Sequence, residues 1–187
     1  MFDTVLVLPA VVILLPVFAV IIIAIRINSK GPAVFKQKRA GKNGTPFTFY
    51  KFRTMKADVD PFGASPKSGD DPRLTKIGKF LREYSLDELP QLFNVLKGEM
   101  SLVGPRPERP EFVATLSEQI PFFPHRHCVR PGITGWAQIN HKYGDTLSDT
   151  VTKLEYDLYY IKNLSAMLDF YIMLQTVKVM VLSRGSQ

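Results

Sequence analysis

The sequence predicts an α+β protein in which one apolar helix precedes a small, mostly helical domain. Three observations support this class: an uncharged apolar run at 4–25, two short strand patterns around an Asn-Gly turn, and helical periodicity over much of the remaining chain. The 187 residues, 45% of them hydrophobic, have room for one modest domain. The strand patterns are too few for a doubly wound sheet.

The apolar run is predicted to be a membrane-inserted helix covering residues 1–26, followed by a domain at 27–187. As a helix with about 1.5 Å per residue, it is long enough for a hydrocarbon core roughly 30 Å thick. Asp3 stands where a cleaved signal peptide would carry basic residues, which argues against cleavage. Pro16 removes a helical hydrogen bond near the middle of the run, so we expect a kink there.

Basic residues crowd the exit from this run. By the positive-inside tendency they place the domain in the cytoplasm, and they also suit anionic lipid headgroups. They are Arg26, Lys30, Lys36, Lys38, Arg39 and Lys42. The single cysteine, Cys128, excludes an internal disulfide and agrees with a reducing compartment.

A β-hairpin is predicted next, because strand-forming runs at 33–39 and 46–52 flank the turn signal Asn43-Gly44. The second strand delivers Lys51 and Arg53 at its end. Basic residues among aromatics also occur on nucleic-acid surfaces, but no known reader motif is present. We therefore expect no nucleic-acid partner.

Residues 58–71 are rich in Gly, Pro, Ser and Asp and are predicted to be an exposed loop, with a lid over the site as the alternative. A helix should follow, with Arg82 projecting away from its apolar face. That face consists of Ile77, Phe80, Leu81 and Tyr84.

The centre of the sequence is an Asp-Glu pair before a second helix that Gly98 ends. Ser85 with Glu88 suggests a capping box, but Pro90 would then lie inside the helix, so Asp87 is the predicted N-cap. Both carboxylates would lie at the positive end of the helix dipole, which favours their ionised forms and attracts phosphate. The predicted apolar stripe of this helix is Leu89, Leu92, Phe93 and Leu96.

Several cations surround the carboxylates in the sequence, namely Arg82, Lys97, Arg106 and Arg109. Arg106 lies between two prolines on a segment that should be stiff and extended. Without cations nearby, the Asp-Glu pair would be interpreted as a helix cap followed by an acidic residue of the first turn. Carboxylates facing fixed guanidiniums are instead typical of phosphoryl chemistry with a divalent metal.

Three more helices are predicted, at 111–120, 151–161 and 164–182. The last is apolar nearly all round, which favours a buried or membrane-lying helix over a second span. Residues 122–127 mix aromatic and basic side chains and suit a membrane interface, but His125 and His127 lack the spacing of zinc ligands. Trp136 is either a lipid anchor or a core residue.

Several of these blocks resemble the bacterial sugar transferases, also called monotopic phosphoglycosyl transferases, across nearly the whole chain and in family order. The central match is LR at 81–82, SLDELPQLFNV at 85–95 and GEMSLVGPRP at 98–107. The others are YKFRTM at 50–55, DPR at 71–73, RPGITGWAQ at 130–138 and DLYY at 157–160.

The resemblance implies transfer of a sugar 1-phosphate from a UDP-sugar to a polyprenyl phosphate such as undecaprenyl phosphate, with release of UMP. Asp87 would be the nucleophile and hold Mg²⁺, and Glu88 would assist proton transfer or metal placement. The implied phosphate contacts are Lys51, Arg53, Arg82 and Arg106. Gln138 and Asp157 lie in family blocks, Gln138 as a substrate contact, with a structural role open for both.

The family resemblance also implies a re-entrant membrane helix that breaks at Pro16 and returns to the cytoplasmic face of the bacterial inner membrane. Two features depart from the family: Leu15 replaces a common serine, and no basic residues precede Phe2-Asp3. The missing leader suggests a catalytic piece of a longer membrane protein. An oligomer is compatible with the sequence.

Residues 107–112 (PERPEF), Arg126-His127 and Tyr143-Gly144 resemble the subset of the family associated with exopolysaccharide assembly. A hexose 1-phosphate donor is therefore expected over an acetamido sugar. The alternative function is a catalytically silent, membrane-tethered scaffold, which the intact carboxylate pair and Arg106 argue against.

Overall fold

The computed structural model describes residues 2–56, 71–141 and 146–182, with Val59 and Gly144. Most of the predicted loop at 58–71, and Tyr143, lie outside the described residues. The helices are α1 (Phe2–Asn28), α2 (Lys76–Glu83), α3 (Gln91–Leu96), α4 (Pro110–Gln119), α5 (Trp136–Asn140), α6 (Leu147–Lys162) and α7 (Ala166–Leu182). The strands are β1 (Val34–Ala40), β2 (Pro46–Phe52), β3 (Ser101–Val103) and β4 (Gly132–Thr134). This mixture of helices and small sheets confirms the α+β class.

The predicted hairpin is confirmed. β1 and β2 pair antiparallel, from Val34 opposite Phe52 to Ala40 opposite Pro46. Asn43 and Gly44 take left-handed backbone conformations (φ 57° and 74°), which these two residue types adopt most readily.

A second sheet was not predicted. β3 and β4 pair in parallel, with Ser101 opposite Gly132. A Cβ atom at Gly132 would collide with the amide nitrogen of Gly104, so only glycine allows this close approach of the two segments. Strands of three residues are too short to show an alternating pattern in the sequence.

Helix α1 is long and apolar enough to cross a membrane by length and composition, with mean hydropathy 3.2 in its most apolar window. It is one helix through Pro9 and Pro16, and the kink and re-entry stay predictions. One stripe of α1 is buried against the rest of the protein, and we call it the inner stripe. It consists of Val7, Val11, Phe18, Ile21 and Ile25.

The inner stripe contributes to two cores. Val7 and Val11 pack with Phe49 and Met100 in the first core, and Phe18 packs with the second core around Phe52 and Leu81. Val7 and Ile25 are roughly 27 Å apart at 1.5 Å per residue. The helix therefore lies across the domain instead of projecting from it. The predicted boundary between a membrane helix and a domain at residue 26 stays a prediction. Each of the two cores contains residues from both sides of it.

The predicted C-terminal helices are confirmed as α4, α6 and α7. Helix α6 begins earlier than expected, at Leu147, because Thr146 and Asp149 form a capping box. Helix α7 buries Ile172 but exposes a long apolar side. It is therefore not a buried helix, and the alternative of a helix lying on the membrane stays a prediction. Trp136 is half-buried and stacks on Tyr159.

Candidate active site

The Asp-Glu pair lies on a 3₁₀ turn, Leu86–Glu88, between α2 and α3. Asp87 is not the N-cap of the following helix, so that prediction was wrong. The chain turns at Ser85, which is left-handed (φ 54°), and α3 begins only at Gln91, with Pro90 at its N-cap. The capping box is absent too, since the Ser85 side chain makes no capping hydrogen bond.

The apolar stripe predicted for this helix is only partly correct. Leu92 and Leu96 pack against the first core, but Phe93 is exposed. The buried residues of α3 are Gln91, Asn94 and Val95. Gly98 (φ 75°) follows the helix end, as expected.

Two cations converge on Glu88. Lys51 Nζ lies 2.7 Å from Glu88 Oε1, and Arg106 Nη2 lies 2.6 Å from the same oxygen. Lys51 Nζ is also 3.5 Å from Asp87 Oδ2. Glu88 therefore has two close positive partners, whereas Asp87 has one distant partner among these contacts.

The two neighbouring carboxylates differ in pKa. Burial raises the pKa of Asp87, and the nearby charge of Lys51 offsets only part of this rise. Burial also favours a raised pKa at Glu88, but the charges of Arg106 and Lys51 outweigh it and hold that pKa below its usual range. When the pKa values of two adjacent carboxyl groups are shifted in opposite directions, the two groups can take different roles in a reaction. Asp87 is the one whose ionised form a further cation would stabilise most.

The other candidate residues lie in different places. Arg82, on α2, is close enough for its charge to lower the pKa of Asp87. Arg53 instead donates to the end of α1, at 2.9 Å to the Lys30 carbonyl and 2.8 Å to the Ser29 carbonyl. Gln138 Nε2 donates to the Ile133 carbonyl at 3.0 Å. The structure thus gathers Lys51, Arg82 and Arg106 around the carboxylates, and the contacts of Arg53 and Gln138 are structural.

The sequence profile described as bacterial sugar transferase matches residues 1–183, which include every residue of this site. This chain belongs to the bacterial sugar transferase family. The resemblance read from its motifs is thereby confirmed.

Similar proteins include sugar phosphotransferases. The chain is 45% identical over 182 residues to the UDP-N-acetylgalactosamine-undecaprenyl-phosphate N-acetylgalactosaminephosphotransferase of Aeromonas hydrophila, covering 95% of this chain and 43% of that protein. It is 45% identical over 179 residues to the undecaprenyl-phosphate glucose phosphotransferase of Komagataeibacter xylinus, covering 92% and 34%. It is 45% identical over 170 residues to the uncharacterized sugar transferase EpsL of Bacillus subtilis (strain 168), covering 91% and 79%. The chain therefore spans less than half of the first two relatives.

The carboxylates of this sugar transferase fit a magnesium ion. Mg²⁺ is usually held by one or two carboxylates together with the phosphates of a substrate. Asp87 has spare acceptor capacity, while Glu88 is engaged by Lys51 and Arg106. Within the described part of the chain, no three His, Cys, Asp or Glu side chains are grouped to enclose an ion, so substrate oxygens would complete the site.

A second ion pair positions the segment that carries Arg106. Arg126 Nη2 lies 2.7 Å from Asp157 Oδ2 and also donates to the Arg106 carbonyl at 2.9 Å. Arg39 Nη1 donates to the next carbonyl, that of Pro107, at 3.1 Å. Burial lowers the pKa of Arg39 to about 10. Arg39 was predicted among the cations that face lipid headgroups. It is instead half-buried and hydrogen-bonded to the segment that carries Arg106.

Asn94 was also missed by sequence reasoning. Its Oδ1 accepts from the Tyr50 amide at 3.2 Å, and its Nδ2 donates to the Thr48 carbonyl and to Glu99 Oε2, each at 2.7 Å. These bonds fix α3 to β2 one residue before Lys51. In the sequence, Asn94 is simply a polar residue among the apolar residues of a short helix. That pattern did not indicate that its side chain would be buried.

Proposed function

We propose that this sugar transferase moves a sugar 1-phosphate from a UDP-sugar to a polyprenyl phosphate, releasing UMP. The observation that supports this most is the unequal pair of carboxylates: Asp87 is buried with spare acceptor capacity, beside Glu88 saturated by two cations. The two relatives with named activities carry undecaprenyl phosphate in those names, and this sets the expected acceptor.

In the first step a carboxylate oxygen of Asp87 attacks the β-phosphorus of the UDP-sugar. The new bond joins that oxygen to phosphorus, and the bond from the β-phosphorus to the bridging oxygen breaks. UMP leaves with the bonding electrons, and the sugar phosphate stays on Asp87 as an acyl phosphate.

In the second step a phosphate oxygen of the polyprenyl phosphate attacks the same phosphorus. The bond to Asp87 breaks, which restores the carboxylate and yields a polyprenyl diphosphate sugar. Splitting the transfer in this way lets one site serve a soluble donor and a lipid acceptor in turn.

The surrounding cations supply charge for both steps. Arg106 and Lys51, held by Glu88, bind phosphate oxygens, and Arg82 approaches from α2. Glu88 keeps these cations in place and is the candidate for assisting proton transfer. A magnesium ion on Asp87 and the diphosphate would reduce the negative charge on the phosphates. Arg53 and Gln138 stay predicted substrate contacts that would need to leave their present partners.

We place the domain on the cytoplasmic face of the bacterial inner membrane, in the first membrane step of exopolysaccharide or other glycoconjugate assembly. The basic residues after α1 and the exposed apolar faces of α1 and α7 support this location. If the chain does not cross the bilayer, a cysteine beside Met1 should be protected from an impermeant thiol reagent in intact cells. Labelling from outside would establish a spanning helix.

The donor is proposed to be a UDP-hexose. The relatives do not decide this, because one named for N-acetylgalactosamine and one named for glucose are both 45% identical to this chain. Overall identity therefore does not report on the sugar. The expectation rests on the resemblance of 107–112, Arg126-His127 and Tyr143-Gly144 to the exopolysaccharide-associated subset.

The test is a luminescent UMP-release assay across a panel of UDP-sugars, with undecaprenyl phosphate and Mg²⁺. We expect release with UDP-glucose or UDP-galactose, and none without the lipid beyond one turnover. Release with UDP-N-acetyl sugars alone would contradict the hexose donor. Silence with every donor would contradict the transfer reaction and favour the scaffold.

A further inference from the structure

An open groove of about 490 Å³ lies between α1, the hairpin and α3. Helix α1 contributes Leu15, Phe18, Ala19 and Ile22 to its walls. The hairpin contributes Val34, Tyr50 and Phe52, and the α3 region contributes Pro90, Phe93 and Lys97.

The chemistry of the groove is almost wholly apolar. Its polar groups are the Tyr50 hydroxyl and the Lys97 ammonium, which bond to each other at 2.8 Å. The Lys97 ammonium also lies 4.6 Å from the centre of the Tyr50 ring, so both groups are engaged at one rim. The remaining walls offer a ligand no hydrogen bonds from side chains, which suits a hydrocarbon.

The groove is continuous with the surface of α1 that suits lipid. Leu15 lines the groove and is 52% exposed, and Val12, one turn earlier, is 59% exposed. Phe93 is 37% exposed at the groove, on a helix whose polar residues Gln91 and Asn94 are buried. A chain lying in the groove would cover the Phe93 ring and continue along α1 into the bilayer.

The groove also reaches the active-site turn. Pro90, in its wall, is two residues after Glu88, and Tyr50 directly precedes Lys51 on β2. Since side chains alternate along a strand, Tyr50 and Phe52 face the groove while Lys51 faces away from them. Lys51 therefore contacts Asp87 and Glu88 from the other face of β2, and the groove approaches the turn that carries these carboxylates at Pro90.

We propose that this groove holds the active-site end of the isoprenoid chain of the polyprenyl phosphate acceptor. The proposal rests on the proposed function and adds where the acceptor lies. An acceptor with a phosphate head and a hydrocarbon tail needs an apolar path that ends at a cationic site. The groove provides the path, and Lys51, Arg82 and Arg106 provide the cations. A phosphomonoester head fits these cations, whereas an ordinary phospholipid would bring a bulkier glycerol head to the turn.

The first test fills the groove. Ala19→Phe adds a ring at an exposed groove position, and Val20→Phe is the matched control on the same helix, 66% exposed and outside the groove lining. Displacing about two methylene groups of the chain should raise the KM for undecaprenyl phosphate about tenfold in Ala19→Phe only. The single-turnover UMP release without acceptor serves as the internal reference, and thermal melting checks the fold.

The outcomes separate the two proposals. If the wild type releases no UMP, the proposed function fails. If it turns over normally and Ala19→Phe matches Val20→Phe in acceptor KM, the groove assignment fails. A fall in the single-turnover rate equal to the loss of turnover would also overturn it, since the defect would then not concern the acceptor.

The second test measures binding without turnover. An Asp87→Asn protein in phosphatidylglycerol vesicles is photolabelled with a diazirine-bearing polyprenyl phosphate, and labelled peptides are mapped. We expect labels on the groove segments around Ala19 and Phe93, removed by excess undecaprenyl phosphate. Labels that extra phosphatidylglycerol removes equally would identify the occupant as a bilayer acyl chain. Groove peptides that stay unlabelled while other parts of the protein are labelled would overturn the assignment.

Discussion

Two clusters of opposite charges in this protein use the same kinds of side chain but differ in accessibility. In the cluster of Lys51, Glu88 and Arg106, the side chains retain 19, 19 and 41% exposure. In the pair of Arg126 and Asp157 they retain 8 and 3%. Lys51, Glu88 and Arg106 can therefore meet a substrate, whereas Arg126 and Asp157 cannot. The Asp87 side chain beside the first cluster is itself only 6% exposed, so its three charged neighbours form the accessible surface of the site.

The clusters also differ in what their donors contact. Arg126 divides its donors between Asp157 and the backbone carbonyl of Arg106, so its effect is to hold that segment. Around Glu88, by contrast, an extra carboxylate, Asp87, remains only weakly paired. The difference teaches that buried ion pairs in this fold can fix the backbone, as Arg126 does, and that the candidate site is distinguished by a weakly paired carboxylate beside partly exposed cations.

The largest expected effect comes from removing the weakly paired carboxylate, Asp87. Asp87→Asn should lower UMP release by about 10³-fold or more, because an amide is a very poor nucleophile. The melting temperature at pH 7 should be unchanged or higher. The raised pKa of Asp87 means that its ionised form costs stability above that pKa, and the amide removes the cost.

Glu118→Gln, an exposed carboxylate on α4, is the control for this substitution and should behave as wild type. A purified Asp87→Asn protein that kept a tenth of wild-type UMP release would exclude Asp87 as the nucleophile.

Next in size is the loss of the charge that holds the two cations. Glu88→Gln should reduce turnover about 10²-fold, since Lys51 and Arg106 would no longer be fixed in place. In the wild type, the pKa of Glu88 in the folded state lies below its ordinary value of 4.5. The ionised Glu88 side chain therefore stabilises the fold above pH 4.5, and this stabilisation is lost as the pH falls. The melting temperature of Glu88→Gln should therefore depend less on pH than wild type below about pH 5. Parallel melting curves from pH 7 to pH 3 would contradict the ion-pair geometry.

The pair of Arg126 and Asp157 should respond in stability first. Asp157→Asn leaves the buried Arg126 guanidinium with Glu108, 4.0 Å away, as its remaining counter-charge and should lower the free energy of unfolding by about 3 kcal/mol. The double variant Arg126→Met with Asp157→Leu should recover most of the melting temperature. Its turnover should stay about tenfold low, because the Arg106 carbonyl has lost its donor and the segment shifts. Full recovery of turnover would show that the pair has no positioning role.

The smallest expected effect concerns Arg53, where sequence and structure differ. If Arg53 serves only to bind the Ser29 and Lys30 carbonyls after α1, then Arg53→Lys should keep turnover within about twofold of wild type. The melting temperature should fall slightly. A rise of tenfold or more in the KM for the UDP-sugar, measured beside Lys56→Arg as a surface control, would restore the predicted phosphate contact.

Local signals explain what the sequence predicted. The hairpin follows from Asn43-Gly44, and α4, α6 and α7 follow from apolar periodicity within each segment. The gathering of Asp87, Glu88 and Arg106 was predictable because the motif places them within 20 residues and two prolines stiffen the segment around Arg106.

Long-range geometry explains what the sequence missed. The true start of α3 depends on the left-handed Ser85, a conformation that serine rarely adopts and composition does not indicate. The buried position of Arg126 depends on α6, about 30 residues later in the chain, and an arginine among aromatics has the same pattern at a membrane surface. The inner stripe of α1 could not be read because every neighbouring residue is apolar too.

The inner stripe has a consequence for how this protein is made. Helix α1 leaves the ribosome before Phe49, Phe52 and Leu81, the side chains that it will later contact. Until they arrive, lipid tails can cover the stripe, and exchanging them for equally apolar protein side chains involves little hydrophobic driving force. If α1 inserts as proposed, the bilayer would be a temporary partner of the inner stripe, and membrane insertion and domain folding would be coupled. Substitutions that expose polar groups on the inner stripe should then impair both membrane association and folding of the rest of the chain.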